Sequence, residues 1–151
     1  MRLTISAIGK AGKGPEAALT QKYFDRLPHQ GKLMERDSSK PAGTARIEDE
    51  GDKILSSIPS DAKLVVLDER GKSLSSRALA ELIKQWRDDG IRDAVFAIGG
   101  ADGHSPEVIK KADIILAFGE QTWPHLLVRA MLAEQLYRAE MILIGHPYHH
   151  G

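Results

Sequence analysis

Apolar and polar residues alternate at the start of the chain, with Leu3, Ile5 and Ala7 on one side and Thr4 and Ser6 on the other. That period of two predicts a strand, which Gly9 and Gly12 then end. Pro15 opens a helical pattern carrying Ala17, Leu19, Tyr23, Phe24 and Leu27, and Pro28 closes it. A short strand over 32–35 and a polar loop with Pro41 and Gly43 come next, followed by a charged helix over 47–58 that Pro59 stops.

From Lys63 the pattern sharpens. Leu64, Val65, Val66 and Leu67 form a continuous apolar run that ends in charge and glycine, as a strand buried on both faces does. A helix over 75–89 places Leu79, Leu82, Ile83 and Trp86 on one face and stops at Gly90. "DAVFAIGGADGHS" repeats strand then glycine loop, Ser105 and Pro106 hold N-cap and first-turn positions, and "DIILAFGE" is again strand into glycine. A long helix over 124–139 follows, and "MILIG" reads as an apolar, strand-like segment leading to the terminal "HPYHHG". Strands alternating with helices argue for a single α/β domain, a mostly parallel sheet with helices on both faces. Ligands of such sheets bind beyond the carboxyl ends of the strands. Here three successive strands end in "LDERGKS", "IGGADGHS" and "FGEQTWPH", so their loops should meet on one rim.

Composition narrows the chemistry. A length of 151 residues with 42% apolar content suits one domain with one sizeable core. Lys+Arg and Asp+Glu both number 21, so no overall field draws the protein to a polyanion. Cysteine is absent, which excludes disulfides, zinc thiolates and thiol nucleophiles. No segment approaches the roughly 20 apolar residues of a membrane span, and the expectation is a soluble cytoplasmic protein.

Two motifs fail on spacing. Gly71-Lys72-Ser73 lacks the earlier glycine of a P-loop, because Val66 stands there, and Gly99, Gly100 and Gly103 do not fit the dinucleotide pattern. Asp68, Glu69, Asp102, Asp113 and Glu120 sit at strand ends or in loops without the spacing of a metal site, and no metal is expected. In the last helix Glu134, Gln135 and Arg138 share one face, while Arg129 points the other way among Leu126, Leu132, Ala133 and Leu136. An arginine on an apolar face needs an anion, either a carboxylate of the protein or a ligand's phosphate or carboxylate.

Taken together, these stretches resemble the ribosomal RNA large subunit methyltransferase H family of the SPOUT superfamily, over essentially the whole chain. The resemblance rests on "MRLTISAIGK", "LVVLDERGK", "FAIGGADGHSPEV", "PHLLVRAMLAEQLYRA" and the terminal "HPYHH". It implies one SPOUT domain over 1–151 with a C-terminal trefoil knot over roughly 95–151, an exception to the rule against threaded loops. It also implies S-adenosyl-L-methionine as cofactor, held largely by backbone groups at Leu67, Gly99 and the loop Phe118, Gly119, Glu120, Gln121, Thr122 and Trp123. The implied reaction methylates N3 of a pseudouridine in 23S ribosomal RNA within the assembled ribosome, and the implied state is a homodimer. Around the reacting nitrogen the candidates are His125, Arg129, His146, Tyr148 and His149. His150 departs from the family pattern, which carries arginine after "HPYH". The rival readings are a non-catalytic ribosome- or RNA-binding protein that keeps the fold, and a flavodoxin-like flavin module.

Overall fold

The computed structural model describes residues 1–28 and 31–151. Five strands, β1 (Arg2–Ile8), β2 (Lys32–Arg36), β3 (Lys63–Lys72), β4 (Asp93–Ile98) and β5 (Ile114–Leu116), form one sheet in the order β2-β1-β4-β3-β5. Every neighbouring pair is parallel, so all the carboxyl ends share one rim. The helices are α1 (Pro15–Arg26), α2 (Thr44–Ser56), α3 (Ser76–Asp88), α4 (Pro106–Lys111) and α5 (His125–Leu143).

Alternate residues of the continuous apolar runs face opposite layers. Val65 and Leu67 of β3 join Ile5, Phe96 and Ile98 beneath α1, α3 and α5, where Phe24, Ile83, Trp86, Leu132 and Leu136 close the larger core. Leu64 and Val66 turn the other way, with Val95 and Ala97, onto Ile54 of α2 and Val108 of α4. Burial on both faces explains why these strands carry no polar alternation. Among the described residues no helix is long and apolar enough to cross a membrane.

Three boundaries differ from the sequence reading. The charged helix begins at Thr44 and ends at Ser56 rather than spanning 47–58. The strand-like "MILIG" is instead the last turn of α5, which runs to Leu143. Its apolar residues continue the helix face, with Met141 buried and the equally buried Glu140 paired to Arg87 of α3. Gly145, at φ +71°, then closes the helix: its N–H donates to Ile142 and that of His146 donates to Met141. Finally, β3 does not end at Leu67. Its register breaks there and resumes where Lys72 pairs with Leu116, leaving residues 68–71 as an excursion above the sheet. Gly71 permits the return, since a Cβ on it would lie 2.5 Å from the Ile115 carbonyl oxygen.

Candidate functional site

The excursion after β3, the loop after β4 and the loop between β5 and α5 surround a cavity of about 470 Å³. The three rim loops expected from the sequence thus meet, because β4, β3 and β5 are adjacent in the sheet. Leu67, Gly99, Phe118, Thr122 and Trp123 line the cavity, and His125 stands at its edge in the first turn of α5. The remaining members of the expected set, Glu120 and Gln121, are exposed on the same loop, while Gly119 lines a neighbouring apolar groove. Trp123 is fixed by its indole N–H, which donates to the Phe118 carbonyl at 2.9 Å, and Thr122 donates to Glu69 across the mouth.

Sequence reasoning missed several lining groups. Asp68 holds Arg70 through paired contacts of 3.0 Å, and the guanidinium keeps the carboxyl below its usual range. His104 places Nε2 3.1 Å from the Leu67 carbonyl and lays its ring against Gly99. Burial holds this imidazole below the ordinary histidine range, so the neutral ring donates from Nε2 and leaves Nδ1 buried without a partner. The legible signal was its position inside the glycine loop. Gly99 cannot be enlarged freely, since a Cβ would press the His104 ring at 3.2 Å.

Arg129 is 1% exposed and finds the protein carboxylate rather than open solvent. Its Nη1 donates to Glu35 of β2 at 2.7 Å, and Nη2 donates to the carbonyls of Ile8 and Gly9 at 2.9 and 2.7 Å. The same Glu35 oxygen accepts from the Ala11 amide at 2.6 Å, so α5, β2 and the loop after β1 are tied at one point. His125 lies on the same side, and burial followed by the Arg129 charge lowers its pKa.

The tail folds back on the outer face of α5. Tyr148 donates to Glu134 at 3.0 Å, its ring meets Tyr137 edge-on at 4.7 Å, and the Arg138 guanidinium lies 4.7 Å from its centre. His149 Nδ1 is 3.1 Å from Arg138, and His146 Nδ1 accepts from the Tyr148 amide at 3.1 Å. Burial and hydrogen bonds to Tyr23 and Glu134 push the Tyr148 phenol far above its ordinary range. Within one chain, then, His146, Tyr148 and His149 are gathered on α5, and His125 alone of the five catalytic candidates lines the cavity. No three potential metal ligands cluster among the described residues.

The glycine-lined pocket, with Asp68, Glu69 and Arg70 on its wall, suits a flat, polar ligand that the chain approaches closely. Comparison with known proteins gives that arrangement a family. The family model described as "Predicted SPOUT methyltransferase" matches residues 1–149. The chain is 49% identical over 150 residues to the ribosomal RNA large subunit methyltransferase H of Paramagnetospirillum magneticum, covering 99% of both chains. It is 49% identical over 150 residues to that of Rhodospirillum centenum, covering 99% of both chains, and 45% identical over 161 residues to that of Nitrobacter winogradskyi, covering 100% of both chains. Among solved structures, a probable methylase family protein from Haemophilus influenzae superposes with a TM-score of 0.58 at 12% identity, over 99% of this chain and 70% of that one, which supports the fold. The chain belongs to the SPOUT methyltransferases, within the ribosomal RNA large subunit methyltransferase H family.

Proposed function

We propose that this chain is an S-adenosyl-L-methionine-dependent rRNA methyltransferase that modifies N3 of a pseudouridine in 23S ribosomal RNA on the assembled ribosome, in the cytoplasm. The observation that carries the reading is the meeting of Leu67, Gly99 and Phe118 around one cavity at the carboxyl ends of three adjacent parallel strands. The C-terminal trefoil knot over roughly 95–151 belongs to the same proposal.

When bound, the cofactor supplies an electrophilic methyl group. Transfer of that methyl group to N3 would require the nitrogen to give up its proton. The protein's share is alignment and proton removal. Leu67, Gly99 and Phe118 offer backbone groups to the cofactor, and Trp123 closes the mouth. His125 is the proton acceptor in this reading: it lines the cavity, and its lowered pKa keeps the imidazole neutral near physiological pH. Tyr148 is too weak an acid to serve as a phenolate there, and Arg129 acts through the backbone it holds.

The working unit in this proposal is a homodimer. A second, apolar groove of about 540 Å³ runs between α1, α5 and the β3–α3 connection, with Leu19, Tyr23, Leu74, Leu127 and Met131 on its walls. Glu134, which anchors the tail, lines the same groove. A second copy seated there brings the tail of one subunit toward the cavity of the other.

Calorimetry with S-adenosylmethionine and S-adenosylhomocysteine separates this reading from its rivals, since a flavin module or a non-catalytic scaffold binds neither. Methyl transfer to ribosomes from a strain lacking the modification, with mass mapping of the product, tests the substrate. Methylation of free RNA but not of 70S particles would refute the assembled-ribosome substrate.

A further inference from the structure

The loop Gly99–Gly103 is gripped from beneath by α2. Glu50 is 4% exposed, yet its carboxylate lies against Gly100: a Cβ there would stand 2.6 Å from Oε2 and 3.1 Å from Oε1, with the Ile8 side chain on the other side at 3.1 Å. One residue on, Gly51 leaves no room for a side chain against Ser105, whose hydroxyl caps α4 by accepting from Val108 at 3.3 Å. The consecutive pair Glu50-Gly51 therefore touches the loop at Gly100 and, past its far end, the N-cap of α4 at Ser105. Between them the loop closes on itself, the Gly103 amide donating to the Gly100 carbonyl at 3.1 Å.

A buried carboxyl is costly unless it is paired or hydrogen-bonded. Glu50 Oε1 is buried without a partner, and among the described residues no lysine or arginine forms an ion pair with it. Packing alone calls for an apolar residue at this place, beside Ile54 one turn further along α2. We propose that Glu50 is a positioning residue of the cofactor site, a carboxylic acid that sets the backbone of the Gly99–Gly103 loop through Gly100 and acquires its missing partner from that loop's backbone amides when ligand is bound. This inference rests on the reading of the cavity as the S-adenosylmethionine site.

Its charge state decides its effect. The groups that face it are Asp102 on the loop tip, Asp37 before α2, and Arg46 and Asp49 on α2 itself; β1 and α4 present Ile8 and Val108. Burial first, then the Asp102 charge, raises the Glu50 pKa against the opposing pull of Arg46. The neutral acid tolerates Asp102 close by, whereas the ionised form repels it and loosens the loop. Affinity for the cofactor then falls as pH rises through the raised pKa.

The test is calorimetry with S-adenosylhomocysteine at about pH 5, just above the ordinary glutamate range, and about pH 8 on the full-length wild type, E50Q and E50A, with thermal melts for each. E50Q is neutral and isosteric: it should bind within about threefold of wild type at the lower pH and more tightly than wild type at the higher, His104 and His125 titrating alike in both. E50A should bind about tenfold more weakly at both values. Wild-type affinity in E50A, or equal weakening in E50Q and E50A, overturns the proposal. If E50A does not fold, the comparison of wild type with E50Q decides, because a purely structural role leaves the pH profile of binding unchanged. Absence of binding to the wild type instead sinks the reading of the cavity, which keeps the two failures apart.

Discussion

Tyr148, three residues from the end of the chain, donates its hydroxyl to Glu134 of α5 at 3.0 Å, while Arg138 grips the same carboxylate from one helical turn further on at 2.6 and 2.9 Å. The tail is therefore a docked element rather than a loose terminus. Replacing Glu134 with Ala removes the acceptor and strands Arg138. A single such hydrogen bond is worth about 1 kcal/mol, so the melting temperature should fall by only a few degrees. Hydrogen exchange across residues 146–150 should rise sharply in the same variant, and unchanged protection there would show that Glu134 does not hold the tail.

Truncation carries the same logic into activity. Gly145 closes α5 through backbone bonds that include the His146 amide, and neither hydrophobic core draws on the residues beyond it. Ending the chain at Gly145 should leave a cooperative melt and S-adenosylhomocysteine binding nearly intact, while methyl transfer to ribosomes drops by about a hundredfold. Full turnover by the truncated protein would make the tail incidental.

Arg129 tests the opposite case, a charge held wholly inside the fold. Replacing it with Met keeps the stem and abandons Glu35 and the carbonyls of Ile8 and Gly9. Removing one partner of a buried pair costs about 3–5 kcal/mol. The urea midpoint should fall accordingly, with Lys at the same place recovering part of the loss. A midpoint unchanged by Arg129→Met would mean that the ion pair contributes nothing to stability.

Where both faces of a strand are buried, the apolar run itself announces it, and this is why the central strands around Val65 and Phe96 and the glycine loops after them were legible in the sequence. What stayed hidden depends on partners far along the chain. Glu35 lies 94 residues from Arg129, and no local pattern connects them. The excursion over 68–71 follows from the pairing of Lys72 with Leu116, a property of the sheet rather than of β3. "MILIG" misled because a few apolar residues fit a buried helix turn as well as a strand. Glu50 left a readable trace: it sits four residues before Ile54, on the face of α2 that turns inward.

Gly71 links the fold to the cavity. Its replacement by Ala puts a methyl group 2.5 Å from the Ile115 carbonyl oxygen, so β3 and β5 must separate or the excursion must shift. Overpacking of this kind costs about 1–3 kcal/mol. Because Asp68, Glu69 and Arg70 line the cavity, affinity for S-adenosylhomocysteine should fall together with the melting temperature. A variant that melts lower but binds as tightly as wild type would separate the excursion from the cofactor site.

His104 gives the site a proton dependence with a definite sign. Burial lowers its pKa in the folded state, so on acidification the unfolded chain takes up the proton first. Stability contributed by the neutral ring is fully present above the unfolded pKa of about 6.5 and is lost as pH falls through the lowered value. His104→Gln keeps a donor for the Leu67 carbonyl and removes the titration. The wild type should lose more stability than this variant between about pH 7.5 and about pH 5, read as urea midpoints at each pH. Since His125 and Glu50 titrate in both proteins, the difference between the two curves isolates His104. Parallel curves would mean that His104 titrates alike in the folded and unfolded chains, so that its burial does not disfavour the charged ring.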